Sequence, residues 1–204
     1  MQNVGGIILA GGQARRMGGG DKCLSLIGKK TLLSIIIERS QDQVSSLILN
    51  ANGDPNRFAV YSLPVFQDVI GGFYGPLAGI LTGMEWLKEN RPSATWLASF
   101  AGDAPFVPRN FVQTCLQNNQ ISDIEIICGR SSGRAHPVCG LWRVSLASQL
   151  RKAIEEDEIR KIDTWTSNYS VYYQDFDADP IDPFFNINSE SDLLVANTKI
   201  NYID

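Results

Sequence analysis

Val4 to Lys22 reads VGGIILAGGQARRMGGGDK. An apolar run, VGGIIL, is stopped by Gly11-Gly12, and the chain then passes through a glycine-rich, cationic stretch. A short apolar run that ends at glycines is how a strand buried on both faces of a parallel sheet looks. The stretch behind it, LAGGQARRMGGGDK (Leu9–Lys22), is suited to phosphate oxygens. Such oxygens need several main-chain N–H groups pointing one way, and side chains would block the approach. Glycines remove the block and allow positive φ. Arg15, Arg16 and Lys22 add fixed positive charge; arginine can hold phosphate with two parallel bonds and lysine acts as a point charge. A glycine pair alone marks no more than a flexible loop. Three cations directly behind a buried strand make the stretch a binding loop for a nucleoside triphosphate. It is neither a Walker A sequence nor a G-x-G-x-x-G fingerprint in the right place.

The rest of the chain alternates strands with helices. Thr31 to about Gln41 carries a helical apolar stripe of Leu32, Leu33, Ile35, Ile36 and Ile37. Leu47–Asn50 and Leu63–Phe66 read as short strands. Pro76–Glu89 reads as a helix with proline in its first turn. Trp96–Ala101 is a further strand, a helix is expected after Pro108, and Glu125–Cys128 and Pro137–Trp142 are strands with Ser131–Gly133 as a loop. Val144–Glu155 is amphipathic and helical, Val171–Phe176 is a late strand, and Asp192–Asn197 lies in a terminal helix. This order predicts a three-layer α/β fold, a mostly parallel twisted sheet with helices on both faces, in one domain over residues 1–204.

Composition narrows the function classes. With 204 residues, 44% hydrophobic and 20% charged, the chain is that of an ordinary globular protein. Its net charge of -4 offers no general attraction to nucleic acid. No apolar run reaches the roughly 18 to 20 residues of a membrane span. No secretory leader is recognisable, so a cytoplasmic protein with free thiols is expected. The four cysteines are scattered without a C-x-x-C pair, and His136 is the one histidine, which argues against a zinc site.

Residues after the later strands are candidates for chemistry. Asp103, in Gly102-Asp103-Ala104-Pro105, either holds Mg²⁺ at the carboxyl end of its strand or serves as a turn aspartate. Asp68 is a second metal ligand, a ligand-orienting group or a turn residue. Asn50 offers an amide to a base or ribose, or begins an Asn-Gly-type turn. Asn186 and Asn188 alternate in FFNIN and so share a face, as the polar wall of a pocket or as caps of the last helix, with Asn188 or Ser189 at the N-cap. A lone histidine such as His136 is more often structural than catalytic.

These segments together resemble the molybdenum cofactor guanylyltransferases, which attach GMP from GTP to molybdopterin. The resemblance spans nearly the whole chain. It is carried by Leu9–Lys22, by Asn50–Asn52 (NAN), by Gln67-Asp68 with Gly75–Gly79 (GPLAG), by Gly102–Phe106 (GDAPF), by His136-Pro137 and by Phe184–Asn188 (FFNIN). The first motif marks the nucleotidyltransferase superfamily with its Rossmann-like fold, and GPLAG with the NIN segment is more specific to the guanylyltransferase branch. The resemblance implies that Leu9, Ala10 and Gly11 contact GTP through the backbone and that Lys22 binds its phosphates. It implies that Asn50 and Asp68 hold the guanosine and that Asp103 holds Mg²⁺. Arg16 would stabilise charge at the α-phosphate, and Asn186 and Asn188 would lie near the pterin. Catalysis would then rest on Arg16, Lys22 and Asp103.

It also implies molybdopterin or the molybdenum cofactor as acceptor, with cofactor-biosynthesis and molybdoenzyme-chaperone proteins as partners. One departure stands out: Ser189-Glu190-Ser191-Asp192 replaces the family's usual Thr-Pro-Glu-Asp, and loss of that proline weakens helix initiation slightly. Two other readings stay open. One is a sister enzyme using CTP or a sugar-phosphate acceptor, and the other is a GTP-binding module without catalysis.

Overall fold

The structure is a computed structural model that describes residues 3–11, 21–72, 74–117 and 121–200. Its centre is a seven-stranded sheet. In chain order the strands are β1 (Val4–Leu9), β4 (Ser46–Asn50), β5 (Val65–Phe66), β6 (Trp96–Ala101), β7 (Ile126–Ser131), β8 (Arg134–Arg143) and β9 (Val171–Phe176). A two-stranded ribbon, β2 (Leu26–Ile27) with β3 (Lys30–Thr31), stands apart. The helices are α1 (Leu32–Ser40), α2 (Pro76–Asn90), α3 (Phe111–Leu116), α4 (Ala147–Glu155), α5 (Ile162–Thr166) and α6 (Glu190–Lys199).

The sheet order is β5-β4-β1-β6-β8-β7-β9. All neighbours run parallel except β8, which is antiparallel to both β6 and β7. The mostly parallel sheet expected from the alternation is therefore present. From β1 the chain steps to β4 and β5 on one side. It then returns across β1 to β6 on the other, so the order reverses at β1. In open α/β sheets such a switch point leaves a crevice at the carboxyl ends of the strands.

Period-two alternation explains why both faces are covered. Ile8, Leu47, Leu49, Ala98 and Phe100 point to the layer of α1, α3 and α6, where they meet Leu32, Leu33, Ile36 and Phe111. Ile7, Ile48, Leu97 and Trp142 point to the opposite layer, against Leu77, Leu81, Met84, Leu150 and Trp165. Helix α1 starts where Thr31 accepts the Ser34 N–H at 3.1 Å, a local N-cap.

The structure departs from the sequence reading between Ile126 and Arg143. Ser131–Gly133 is not a free loop but the tip of a hairpin. Its turn residues Ser132 and Gly133 have φ of 47° and 77°, the primed geometry that matches strand twist. The strands consequently extend beyond the expected Glu125–Cys128 and Pro137–Trp142. The hairpin inserts β8 into the gap between β6 and β7, which explains the one antiparallel strand. Helix α5, the β2–β3 ribbon and the 3₁₀ turn Pro55–Tyr61 carried no periodic signal and were not anticipated.

All four cysteines are free and buried. Burial pushes the Cys23, Cys128 and Cys139 thiols up to about 12, and Cys115 also rises, so none is a ready nucleophile. Among the described residues no helix is long and apolar enough to cross a membrane.

Candidate active site

The strand register assembles the candidate residues. Leu9, the last residue of β1, stands opposite Asn50 on β4 and Ala101 on β6, and Asn50 stands opposite Phe66 on β5. Asp103 and Asp68 each follow two residues after a strand end. Four segments far apart in sequence therefore meet at the carboxyl ends of adjacent strands at the switch point, where open α/β sheets bind ligands in a crevice. Ala10 N–H donates to the Asn50 carbonyl at 2.9 Å, and Gly102 N–H to the Leu9 carbonyl at 2.9 Å, so the ladder continues just past the strands.

On one side of the crevice the Lys22 ammonium lies 2.6 Å from Asp103 Oδ2 and 2.6 Å from Asn188 Oδ1. The Lys22 side chain is 11% exposed and that of Asp103 28%, so the pair is sheltered yet reachable. An ammonium has three donors, and two are used here. Ile187 N–H donates to the Asp103 carbonyl at 2.9 Å, which pins the FFNIN segment to the end of β6. Ile187 is fully buried while Asn186 and Asn188 are exposed, the shared face expected from alternation. Ser189, not Asn188, is the N-cap of α6: its hydroxyl accepts from Asp192 N–H at 3.2 Å. Asp192 in turn accepts from Asn188 N–H at 2.8 Å, which holds its carboxyl below the usual carboxylate range. This reciprocal cap starts the helix without the missing proline.

On the other side the Asn50 amide, 5% exposed, donates to Asp68 Oδ1 at 2.9 Å. The Asn52 amide donates to Asp68 Oδ2 at 2.7 Å, and Asp68 N–H returns a bond to Asn52 Oδ1 at 3.0 Å. Both Asp68 oxygens are thereby oriented. Asn52 lay within the NAN motif, but its double link to Asp68 had no signature in the sequence.

Two glycines let the crevice close. A Cβ on Gly79, inside GPLAG, would stand 2.4 Å from Asn50 Oδ1 and 2.7 Å from Leu9 Cδ2, so any larger residue would displace those side chains where α2 packs against the strand ends. A Cβ on Gly102 would stand 2.6 Å from the Leu9 carbonyl oxygen and 3.0 Å from Ala10 Cα. Those are backbone atoms and cannot turn aside. We expect Gly102→Ala to spread the ends of β1 and β6, to lower Tm by about 5 °C and to cut kcat/KM for nucleotide ~100-fold. Thermal melts with steady-state kinetics check this; wild-type values in both would refute the packing argument.

His136 is structural by its contacts. Its Nε2 lies 2.8 Å from Ser131 Oγ, its ring lies 4.8 Å from that of Phe184, and Ser131 donates to Asp182 Oδ1 at 2.8 Å. Because Ser131 gives its one proton to Asp182, His136 donates through Nε2–H, and burial moves its pKa down toward the neutral form. Arg15 and Arg16 lie outside the described residues, so the expected role of Arg16 has no geometry here.

For a divalent cation the donor set is lean. Among the described residues no cluster of three or more histidine, cysteine or carboxylate groups exists. Asp103 Oδ1 takes no hydrogen bond among them. One carboxylate beside a lysine ammonium fits Mg²⁺, which takes one or two protein carboxylates and completes its shell with phosphate oxygens and water.

Comparison with known proteins establishes the family. The family model described as "MobA-like NTP transferase domain" matches residues 6–169. The chain belongs to that family. It is 48% identical over 190 residues to the molybdenum cofactor guanylyltransferase of Rhodopseudomonas palustris (strain HaA2), covering 93% of this chain and 89% of the relative. The structure of molybdopterin-guanine dinucleotide biosynthesis protein A from Archaeoglobus fulgidus superposes with a TM-score of 0.74 at 21% identity, covering 97% of this chain and 99% of that one. A cytidylyltransferase from Leptospira borgpetersenii reaches 0.72 at 16% identity, over 99% and 88% of the two chains. The fold is thus common to transferases of different nucleotides, and backbone shape does not choose the base.

Proposed function

We propose that the protein transfers GMP from GTP to molybdopterin, with or without its molybdenum, forming molybdopterin guanine dinucleotide and releasing pyrophosphate. The carrying observation is a single crevice with the Lys22–Asp103 pair at one side and Asn50 with Asp68 at the other. It is seated in a chain 48% identical to a molybdenum cofactor guanylyltransferase.

In this reading the backbone of Leu9, Ala10 and Gly11 receives the nucleotide. Asp68, with each oxygen already bonded to one asparagine amide, keeps acceptor capacity on both. Guanine offers adjacent N–H donors on its pairing edge, which a two-oxygen acceptor suits. The third Lys22 donor serves the phosphates. Asn188, already on Lys22, and Asn186 beside it face the pterin acceptor. The acceptor's terminal phosphate oxygen attacks the α-phosphate in line and pyrophosphate departs. Such transfers need positioning and charge neutralisation more than a strong base, and no protein nucleophile is called for. Mg²⁺, held by Asp103, would supply neutralising charge at the phosphate oxygens.

We further read residues 1–204 as one nucleotidyltransferase domain acting in the cytoplasm. It would exchange the cofactor with other biosynthetic proteins and molybdoenzyme chaperones, with no nucleic acid or membrane involved.

The test is turnover of the full chain with molybdopterin and Mg²⁺, supplied with GTP or CTP, reading pyrophosphate and the dinucleotide. We expect kcat/KM for GTP to exceed that for CTP by about 100-fold or more. Equal use of CTP would overturn the base assignment. Tight GTP binding without pyrophosphate release would mark a binding module instead.

A further inference from the structure

Arg57 lies outside every motif of the family resemblance, yet its guanidinium spans two loops of the crevice. Its Nε donates to Asp21 Oδ2 at 2.5 Å, Nη1 to the Asp54 carbonyl at 2.6 Å and Nη2 to the Asn52 carbonyl at 2.5 Å. Asp21 is the residue before Lys22. Asn52 is the residue whose side chain is doubly bonded to Asp68. We propose that Arg57 is a positioning residue that couples the base side of the nucleotide site to its phosphate side. The inference rests on the functional reading above and adds to it a residue that acts through others.

Physical reasoning supports more than an incidental ion pair. Asp21-Lys22 comes after β1 in the chain, and the loop Ala51–Asp54 follows β4. The β1–β4 ladder joins them only as far as Leu9 with Asn50 and Ala10 with Asn50. Beyond that point the Arg57 fork bridges them. Two of its three acceptors are main-chain carbonyls of the base-side loop, so its hold sets loop geometry as well as charge.

The fork itself is well seated. Arg57 rides on the 3₁₀ turn Pro55–Tyr61, whose start is capped by Asp54 accepting the Asn56 N–H at 2.9 Å. Phe58, 1% exposed, roots that turn in the core, and the guanidinium lies 4.6 Å from the centre of its ring. A continuous chain of contacts results, running from Asn50 through Asp68, Asn52 and Arg57 to Asp21, with Lys22 and Asp103 next along. A shift of the Asn52 carbonyl would move the Asn52 amide, and with it the Asp68 carboxylate that we assign to the base. A partly exposed arginine–carboxylate pair acting for stability alone would move Tm and leave nucleotide choice untouched.

The test compares the full-length wild type with Arg57→Met, Arg57→Lys and Asp21→Asn, using GTP and CTP with molybdopterin. Arg57→Met is expected to raise KM for GTP ~10-fold, to change kcat less, and to narrow the GTP-over-CTP ratio in kcat/KM ~10-fold. Arg57→Lys keeps the charge and loses the fork, so it should recover only part of the ratio. Asp21→Asn weakens the phosphate-side anchor alone and should raise KM ~3-fold. It also keeps the question answerable if Arg57→Met fails to fold. A lowered Tm with KM and the nucleotide ratio unchanged in both Arg57→Lys and Asp21→Asn would reduce Arg57 to a structural role. The wild-type ratio tests the underlying reading separately. If the wild type prefers CTP, the guanine assignment falls, and the coupling stands or falls on whether the Arg57 variants erode that preference.

Discussion

Asp103→Ala is expected to abolish guanylyl transfer, lowering kcat at least ~1,000-fold while the protein keeps its fold. Asp103 sits just past the end of β6, and its main chain is held independently of the carboxylate. Its carbonyl accepts from Ile187 N–H, and Ala104 N–H bonds the Ala101 carbonyl at 3.2 Å. Removing the side chain therefore leaves the β6–FFNIN junction in place. What is lost is the partner of Lys22 and the carboxylate that we assign to a cation at the phosphates. Asp103→Asn keeps shape and an oxygen but not the charge, and should fare nearly as badly, since the requirement is electrostatic. Circular dichroism and a thermal melt would establish folding, and pyrophosphate release would measure rate. Turnover within tenfold of wild type would remove Asp103 from the mechanism.

Much of this architecture was legible in the sequence, for reasons that differ between its parts. β1 and β6 match their expected extents because a buried strand is a local apolar run with sharp ends; β9 matches too, but as a partly exposed edge strand rather than a buried run. Helices α1 and α2 were visible from their stripes and from Thr31 and Pro76 at their starts. The β7–β8 hairpin was read short because Arg130 pairs with Ala135 and Arg134 with Ser131 across the turn, so these polar residues owe their strand conformation to cross-strand pairing, not to any local pattern.

In the site, residue types after strand ends pointed to the crevice, but pairing did not. Lys22 meets Asp103 across 81 positions and Asn188 across 166, distances over which sequence carries no signal without kin. Family resemblance named those residues. It did not name Arg57, whose partners Asp21 and Asn52 come together only through the 3₁₀ turn. It also gave no reason for glycine at positions 79 and 102, where the neighbours that forbid a Cβ come from other strands.

Lys22→Met should be nearly as damaging as Asp103→Ala, with kcat/KM for GTP falling about 1,000-fold, and its loss should divide differently. Methionine keeps an unbranched stem of similar length, so packing against the half-buried surroundings survives. The ammonium does three jobs at once. It neutralises Asp103, it holds Asn188 at 2.6 Å, and its remaining donor serves phosphate in the function we propose. Loss of the phosphate contact weakens GTP binding and raises KM. Loss of charge at the transferred group lowers kcat, and release of Asn188 loosens the acceptor side.

The damage should therefore appear in KM for both substrates as well as in kcat. In Asp103→Ala it should concentrate in kcat. Lys22→Arg is not a rescue, because a planar guanidinium cannot place one compact charge between two oxygens that each sit 2.6 Å away. Since Lys22 and Asp103 work as a pair, the double variant Lys22→Met/Asp103→Ala should be about as slow as the slower single variant, not slower by the product of the two effects. Multiplicative losses would mean that the two side chains act on separate steps, and the ion pair seen between them would then be incidental to transfer.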